Sequence, residues 1–365
     1  MIDLKVIAQR LIHRQMRVKK GEVVKLNGGL HNKEFIEELA VEIRKVGAFP
    51  MINISWDSLD YRMINETDVD MLDAHPHHRI KLEEMTDCII SFPGVKDPKL
   101  FSNIDSNKMK TLGYASRDIQ EANVKRGARR VGAGWPSQET ADVYGLSLEQ
   151  FEKRFWDAAI ADPDVIYDAC HQVHDFLQNK DKVHITCQNG SNLRFSIKSR
   201  RINMDDGVIS DNDIKIGDIT SNFPYGEVYC APIEESVEGE VIYPVVFYKG
   251  QRIENLKLYF ERGLLIKSEA SLNHDLFLDA MELSSGDKNR IGELGIGTNP
   301  NVTSPCGYLL LDEKIYGSIH LALGENRNYG GKNISSLHWD MVVLNPTVHF
   351  DNQPLIIDGE FVKNS

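Results

Sequence analysis

Residues 335–344 read Ser-Ser-Leu-His-Trp-Asp-Met-Val-Val-Leu, so His338 and Asp340 stand two apart in an apolar run. Alternate residues of a strand share a face. Leu337, Trp339 and Met341 would then pack on one side while His338 and Asp340 project from the other. An imidazole and a carboxylate held side by side are either two convergent metal ligands or a core ion pair, and this pair alone does not decide. Other polar residues are placed in the same way. Glu227 lies in Tyr225-Gly226-Glu227-Val228-Tyr229-Cys230, Glu293 in Ile291-Gly292-Glu293-Leu294-Gly295-Ile296, and His320 in Ser318-Ile319-His320-Leu321-Ala322-Leu323-Gly324. Glu313 precedes the last of these in Leu311-Asp312-Glu313-Lys314. A carboxylate in apolar surroundings costs several kcal/mol unless it is paired or bound to metal. Taken singly, each acid also reads as a partly exposed strand residue. Taken together, the six offer oxygen and imidazole donors without thiolate, a set suited to Zn, Mn or Co. Two such ions about 3.5–4 Å apart could hold a hydroxide and polarise a carbonyl, which is metal-assisted hydrolysis.

The competing chemistries are poorly served. Gly132-Ala133-Gly134-Trp135-Pro136-Ser137 and Gly295-Ile296-Gly297-Thr298-Asn299-Pro300 both lack the third glycine of a dinucleotide loop and carry a proline. The chain has no phosphate-binding GxxxxGK[ST] loop, no GxSxG elbow and no HExxH. His75-Pro76-His77-His78 reads as solvated loop, and His171 with His174 as structural residues of a helix.

The elements that must position these residues change character along the chain. A short amphipathic helix is expected over 2–17, ended by Gly21, then a strand over 22–26 and a turn at Asn27-Gly28-Gly29. Phe35, Ile36, Leu39, Ala40 and Ile43 recur with helical spacing up to Gly47, and a strand follows over 49–54. This is a βαβ unit, for which a right-handed crossover to a parallel strand is expected. Helices over 80–85, 119–125 and 147–178 alternate with strands over 87–92 and 128–131. Near residue 180 the pattern turns to hairpins: 183–187, Asn189-Gly190, then 192–198. Turns at Asp205-Asp206-Gly207, Lys249-Gly250 and Arg262-Gly263 and strands over 241–248, 256–260 and 337–344 continue it. The expected fold class is α/β. An N-terminal open α/β sheet domain (1–180) would be followed by a mixed, hairpin-rich α+β catalytic domain (181–365).

Composition sets outer limits. The 365 residues include 54 acidic and 42 basic ones, a net charge of −12, which argues against a nucleic-acid or anionic-membrane partner. Five cysteines without a CxxC pair suggest reduced thiols, not a disulfide framework or a zinc cluster. No apolar run approaches the roughly 18 residues that span a bilayer, and the first residues carry no apolar leader. A cytoplasmic protein is expected.

Several of these words resemble the signature of one metallopeptidase family, the thermophilic-type dimetal aminopeptidases (aminopeptidases T, S and II). They are Gly226-Glu227-Val228 with Ala231-Pro232 and Ser236-Val237-Glu238-Gly239, Gly292-Glu293-Leu294, His320-Leu321-Ala322-Leu323-Gly324, and Asn333-x-Ser335-x-x-His338-x-Asp340. The resemblance covers nearly the whole chain. It implies two divalent ions (Zn, Co or Mn) on Glu227, Glu293, Glu313, His320, His338 and Asp340, peptide substrates with a free N-terminus, and a homodimer. It also implies that a water activated by the ions attacks the scissile carbonyl, with Glu293 or a neighbour carrying the proton and Tyr329 assisting at the oxyanion. The chain departs from the family in three places. The loop from Glu313 to His320 is two residues longer, the tyrosine after the HxALG word is shifted by the segment at Glu325–Asn328, and the long insertion before the final histidine is missing. Another metal-dependent amidohydrolase or a carboxypeptidase, a non-catalytic metal-binding protein, and a nucleotide-binding oxidoreductase are the alternatives.

Overall fold

Val24 and Leu26, Cys88, Ile89 and Ile90, and Val131 are β-forming or apolar runs that are almost wholly shielded from water. Of these, only residues 88–90 are buried at every position, the mark of a central strand in a parallel sheet covered by helices, while the flanking strands alternate buried with more open residues. The computed structural model describes residues 2–72, 76–101, 104–248 and 250–362. In it these runs lie in a five-stranded parallel sheet, ordered Phe49–Ser55, Val23–Gly29, Cys88–Ser91, Arg129–Ala133 and Thr220–Phe223. Helix Lys33–Val46 turns Phe35, Ile36, Leu39 and Ile43 inward and ends on Gly47, whose φ of 82° is the left-handed cap geometry. The amphipathic N-terminal helix runs over Leu4–Gln9 and widens to a π-helical turn at Arg10–Gln15.

Asn27-Gly28-Gly29 does not turn, contrary to the sequence-based expectation. All three residues stay in the strand and pair with Asn53, Ile54 and Ser55. The glycines mark close approach instead: a Cβ on Gly28 would stand 2.9 Å from Cδ1 of Ile36.

The chain forms two compact units, Met1–Ala159 with Gly207–Pro224, and Ile160–Asp206 with Tyr225–Ser365. These limits differ from a single boundary near residue 180. Strand Thr220–Phe223 pairs in parallel with Arg129–Ala133 and completes the first unit's sheet, while helix Pro163–Leu177 belongs to the second unit. The expected long helix over 147–178 is two helices, Leu148–Ala159 and Pro163–Leu177. Asp162 restarts the second, its carboxylate accepting from the Asp164 N–H at 2.9 Å, with Pro163 in the first turn where no N–H is needed. Asp162→Ala should therefore lower stability by about 1 kcal/mol, read as a lower urea midpoint. An unchanged midpoint would mean that the cap adds nothing.

The second unit is antiparallel. Eight strands form one sheet, in the order Leu264–Glu269, Gln251–Glu261, Glu238–Tyr248, Asn192–Ser196, Lys182–Thr186, Thr347–Phe350, Gln353–Ile357 and Glu360–Phe361. It includes the expected hairpin, in which Lys182–Thr186 pairs with Asn192–Ser196. Of the expected Lys249-Gly250 turn, Lys249 lies outside the described residues. The other sheet has five strands, in the order His338–Val343, Ile319–Gly324, Ile291–Gly297, Glu227–Cys230 and Asn203–Asp205. Among the described residues no helix is long and apolar enough to cross a membrane.

Candidate metal centre

The five-stranded sheet of the second unit has two unlike faces, because successive residues alternate. Val228, Cys230, Leu294, Ile296, Ile319, Leu321, Leu323, Met341 and Val343 are buried and of one parity. Trp339 shares that side, its ring 5.2 Å from Tyr248 and 5.8 Å from Phe277. The opposite parity carries Glu227, Glu293, His320, His338 and Asp340. On one flank each of these polar residues stands across from a residue with little or no side chain; on the other, Glu227 faces the buried Asp205 and His320 faces Val342. Glu227 pairs with Gly297, His320 with Gly295, His338 with Gly324, and both Glu293 and Asp340 with Ala322. A Cβ on Gly295 would lie 1.9 Å from Nε2 of His320, so the imidazole occupies the space that glycine leaves. A Cβ on Gly297 would lie 2.1 Å from the Ile315 carbonyl oxygen, so that glycine admits the loop that follows Glu313 and Lys314.

The side chains converge. Nε2 of His320 is 3.4 Å from Oε2 of Glu227 and 3.5 Å from Oε1 of Glu293. Nε2 of His338 is 3.4 Å from Oε2 of Glu293 and 3.1 Å from Oδ2 of Asp340. Glu293, His338 and Asp340 each present a donor atom within 4.8 Å of the others'. Glu313, on the loop, reaches the cluster through Lys314. The Lys314 ammonium donates to Oε1 of Glu227 at 2.6 Å and to Oε2 of Glu313 at 3.1 Å. All six residues proposed as ligands from the sequence are thus in one cluster. Tyr329 is beside it, its ring 5.4 Å from both the Tyr229 and His338 rings.

Lys314 joins the cluster without a motif in the sequence to mark it. Its side chain is 0% exposed. The adjoining carboxylate and the apolar flanks Leu311 and Ile315 were its only local signal, and a lysine beside a glutamate ordinarily reads as surface.

The cluster has an excess of negative charge. Glu227, Glu293, Glu313 and Asp340, with the buried Asp205 opposite Glu227, are five carboxylates around one obligatory cation, Lys314. Burial alone would pull both imidazoles down. The carboxylates outweigh it, Glu293 most for His320 and Asp340 most for His338, and raise them to about 9 and about 12. Burial pushes Glu293 and Asp340 up, but the imidazole contacts more than offset it and both end below the usual range. Glu313 goes the other way, raised to about 7 by burial that Lys314 offsets only in part. Burial and the nearby carboxylates raise the Tyr329 phenol, so it remains a proton donor.

These residues fit a divalent ion. Oε2 of Glu227, Nδ1 of His320 and Oδ1 of Asp340 are buried without a hydrogen-bond partner, which is costly in a protein interior. His338 has the orientation common to metal-binding histidines: Nδ1 hydrogen-bonds to the Glu325 carbonyl at 2.9 Å, leaving Nε2 to face the carboxylates. Its side chain is the most open of the strand residues in the cluster, at 27% exposure. The loop from Glu325 that carries Tyr329 is clamped from below. Asn326 is buried and donates to Glu234 at 3.2 Å, the Lys332 N–H donates to the same carboxylate at 2.6 Å, and Arg200 donates to the Gly330 carbonyl at 2.6 Å.

A family model described as thermophilic metalloprotease (M29) matches residues 2–361. The chain belongs to the thermophilic metalloprotease (M29) family. It is a metal-dependent hydrolase of that family. Aminopeptidase AmpS of Bacillus subtilis (strain 168) is 23% identical over 392 residues, which cover 98% of this chain and 94% of that protein. Among solved structures, wild-type AmpT from Thermus thermophilus superposes with a TM-score of 0.80 at 19% identity, covering 99% of each chain. The 2,5-dihydroxypyridine dioxygenase of Pseudomonas putida KT2440 superposes with a TM-score of 0.64 at 15% identity, covering 100% of this chain and 99% of that one. At such identities these likenesses establish the fold, an α/β chain with one parallel and two antiparallel sheets, and the fold class expected from the sequence agrees with it.

The other singled-out motifs are absorbed by structure. His171 pairs with Asp206 at 3.1 Å and packs at a tilt against the Tyr167 ring, while His174 contacts Asp175 and Gln178. His77 and His78 are exposed at the start of helix His77–Glu84, and His75 lies outside the described residues.

Proposed function

We propose that the chain is a metal-dependent aminopeptidase that releases N-terminal amino acids from peptides. The observation that carries the reading is the convergence of Glu227, Glu293, His320, His338 and Asp340 from four neighbouring strands in a chain of this family. A Zn, Co or Mn ion would be held by Glu293, His338 and Asp340, with His320 and Glu227 beside them. When bound, such an ion polarises a carbonyl and lowers the pKa of a water. The two-ion form that the family resemblance implies would draw on Glu227, Glu313 and His320 as well, and the Lys314 ammonium already bonds two of these, Glu227 and Glu313.

The chain's own residues supply the rest. The acid-rich cluster attracts the α-amino group of a peptide, which is the physical reason to expect an exopeptidase. Tyr329, protonated and beside His338, donates a hydrogen bond to the scissile carbonyl oxygen as charge develops there. Glu293 or a neighbouring carboxylate takes the proton of the attacking water and passes it to the leaving amide nitrogen. A homodimer is part of this reading through the family resemblance. So is a reducing, cytoplasmic setting, with which five free cysteines are consistent.

The test is hydrolysis of leucine p-nitroanilide and its N-acetyl form by chelator-stripped protein, before and after Zn, Co or Mn is added. Activity should return with metal and only on the free amine. Equal turnover of the acetylated substrate would transfer the chain to another class of amidohydrolase. No turnover with any ion would leave a non-catalytic metal-binding protein.

A further inference from the structure

We infer that Lys314 is a built-in cation that fills one of the two places for positive charge in this cluster, so that each chain takes a single exchangeable divalent ion, on Glu293, His338 and Asp340. The inference rests on the metal-site reading above and narrows it. Two observations carry it. The first is geometric: Nζ of Lys314 lies between two of the six expected ligands, 2.6 Å from Glu227 and 3.1 Å from Glu313, while Glu293, His338 and Asp340 form a separate convergent group that Lys314 does not touch. The second is that the lysine has no way out. Its side chain is fully buried. Its backbone is fixed at both ends, the N–H donating to the Leu311 carbonyl at 2.9 Å and the carbonyl accepting from the Asn299 N–H at 3.1 Å.

An ammonium withdrawn from water must be paired. Glu227 and Glu313 are the carboxylates that pair it. An ion placed between these carboxylates would have to strip Lys314 of both partners and then share a low-dielectric space with its charge. The chain meets the same electrostatic demand with a covalently attached cation that chelators cannot remove. In this arrangement Glu313 and Oε1 of Glu227 hold Lys314, and Oε2 of Glu227, 3.4 Å from Nε2 of His320, makes no hydrogen bond.

The experiment is metal stoichiometry. Apoprotein is dialysed against Zn or Mn at a free concentration well above the dissociation constant, and bound metal per chain is measured by plasma mass spectrometry. Wild-type chain should hold one ion. Glu313→Gln should also hold one. Lys314→Met, which frees both carboxylates, should hold two. Crystals of the wild-type chain grown with Mn should show one anomalous peak, at Glu293, His338 and Asp340, and this arm stands even if Lys314→Met does not fold. Two ions per wild-type chain, or a peak beside Glu227 and Glu313, would overturn the inference while leaving the metalloenzyme reading intact. Wild-type chain that binds no ion would overturn both. A folded Lys314→Met protein that still holds one ion would show that the lysine does not stand in for the second.

Discussion

Asp340→Asn should lose at least 1,000-fold in kcat/KM and at least 100-fold in affinity for Zn or Mn, with little change in fold. The side chain keeps its shape, so the apolar side of strand His338–Val343 is undisturbed. What is lost is charge. Asp340 accepts from His338 at 3.1 Å and leaves Oδ1 without a partner, an oxygen free to bind an ion. A neutral amide is a far weaker ligand and no longer balances the cation. A 1,000-fold loss corresponds to about 4 kcal/mol of transition-state stabilisation, the scale set by removing one essential electrostatic partner. Circular dichroism and the melting temperature should stay near the parent values, and the stripped variant should need far more metal to regain any activity. Near-normal turnover at ordinary metal concentrations would remove Asp340 from the ligand set. Since Glu293 and His338 are its neighbours in the group, it would also remove the site as drawn.

Site chemistry has to be decided residue by residue, because the fold does not decide it. Two of the solved structures that share this architecture carry unlike names, AmpT and a 2,5-dihydroxypyridine dioxygenase. The part of the site legible in the sequence was the part built on strands. Glu227, Glu293, His320, His338 and Asp340 were visible because each is a polar residue at alternating spacing inside an apolar run, and period-two alternation survives in a single sequence. Their cross-strand glycines and alanine were visible too, but not their purpose, which depends on register between strands. Lys314 was not legible as part of the site. Its partner Glu227 is 87 positions away, and a neighbouring carboxylate with apolar flanks does not by itself distinguish a buried lysine from a solvated one.

The same limit governs the fold. Helix Lys33–Val46 and its cap follow from local pattern, as do the parallel strands around it. Strand Thr220–Phe223 returns to the first unit's sheet after an excursion through the second, and no local signal announces that. Glycine was the most ambiguous letter. Asn27-Gly28-Gly29 reads as a turn by composition and is a strand that packs closely on Ile36.

Gly295→Ala is the second change expected to have a large effect, and it separates the site from the scaffold. Gly295 pairs with His320 across the sheet, and the added methyl would meet Nε2 at 1.9 Å and Cε1 at 2.0 Å. No real contact is that short, so the imidazole must leave its place between Glu227 and Glu293 or the two strands must part. His320 is 1% exposed, so its ring has no solvent-filled space to turn into. Activity should fall by at least 100-fold, about 2.7 kcal/mol, and metal affinity should fall with it. The control is Leu294→Ala, one residue away on the apolar face. It removes a wholly buried side chain and should cost about 2–5 kcal/mol of stability. Below its melting temperature, that variant should still bind metal with near-parental affinity. Two neighbouring substitutions of one strand would then act on different properties, Gly295 on the site and Leu294 on the core, as the alternation of the strand requires. A Gly295→Ala protein that binds metal and turns over substrate like its parent would show that His320 is not held over that glycine, and that the sheet does not shape the centre through its small residues.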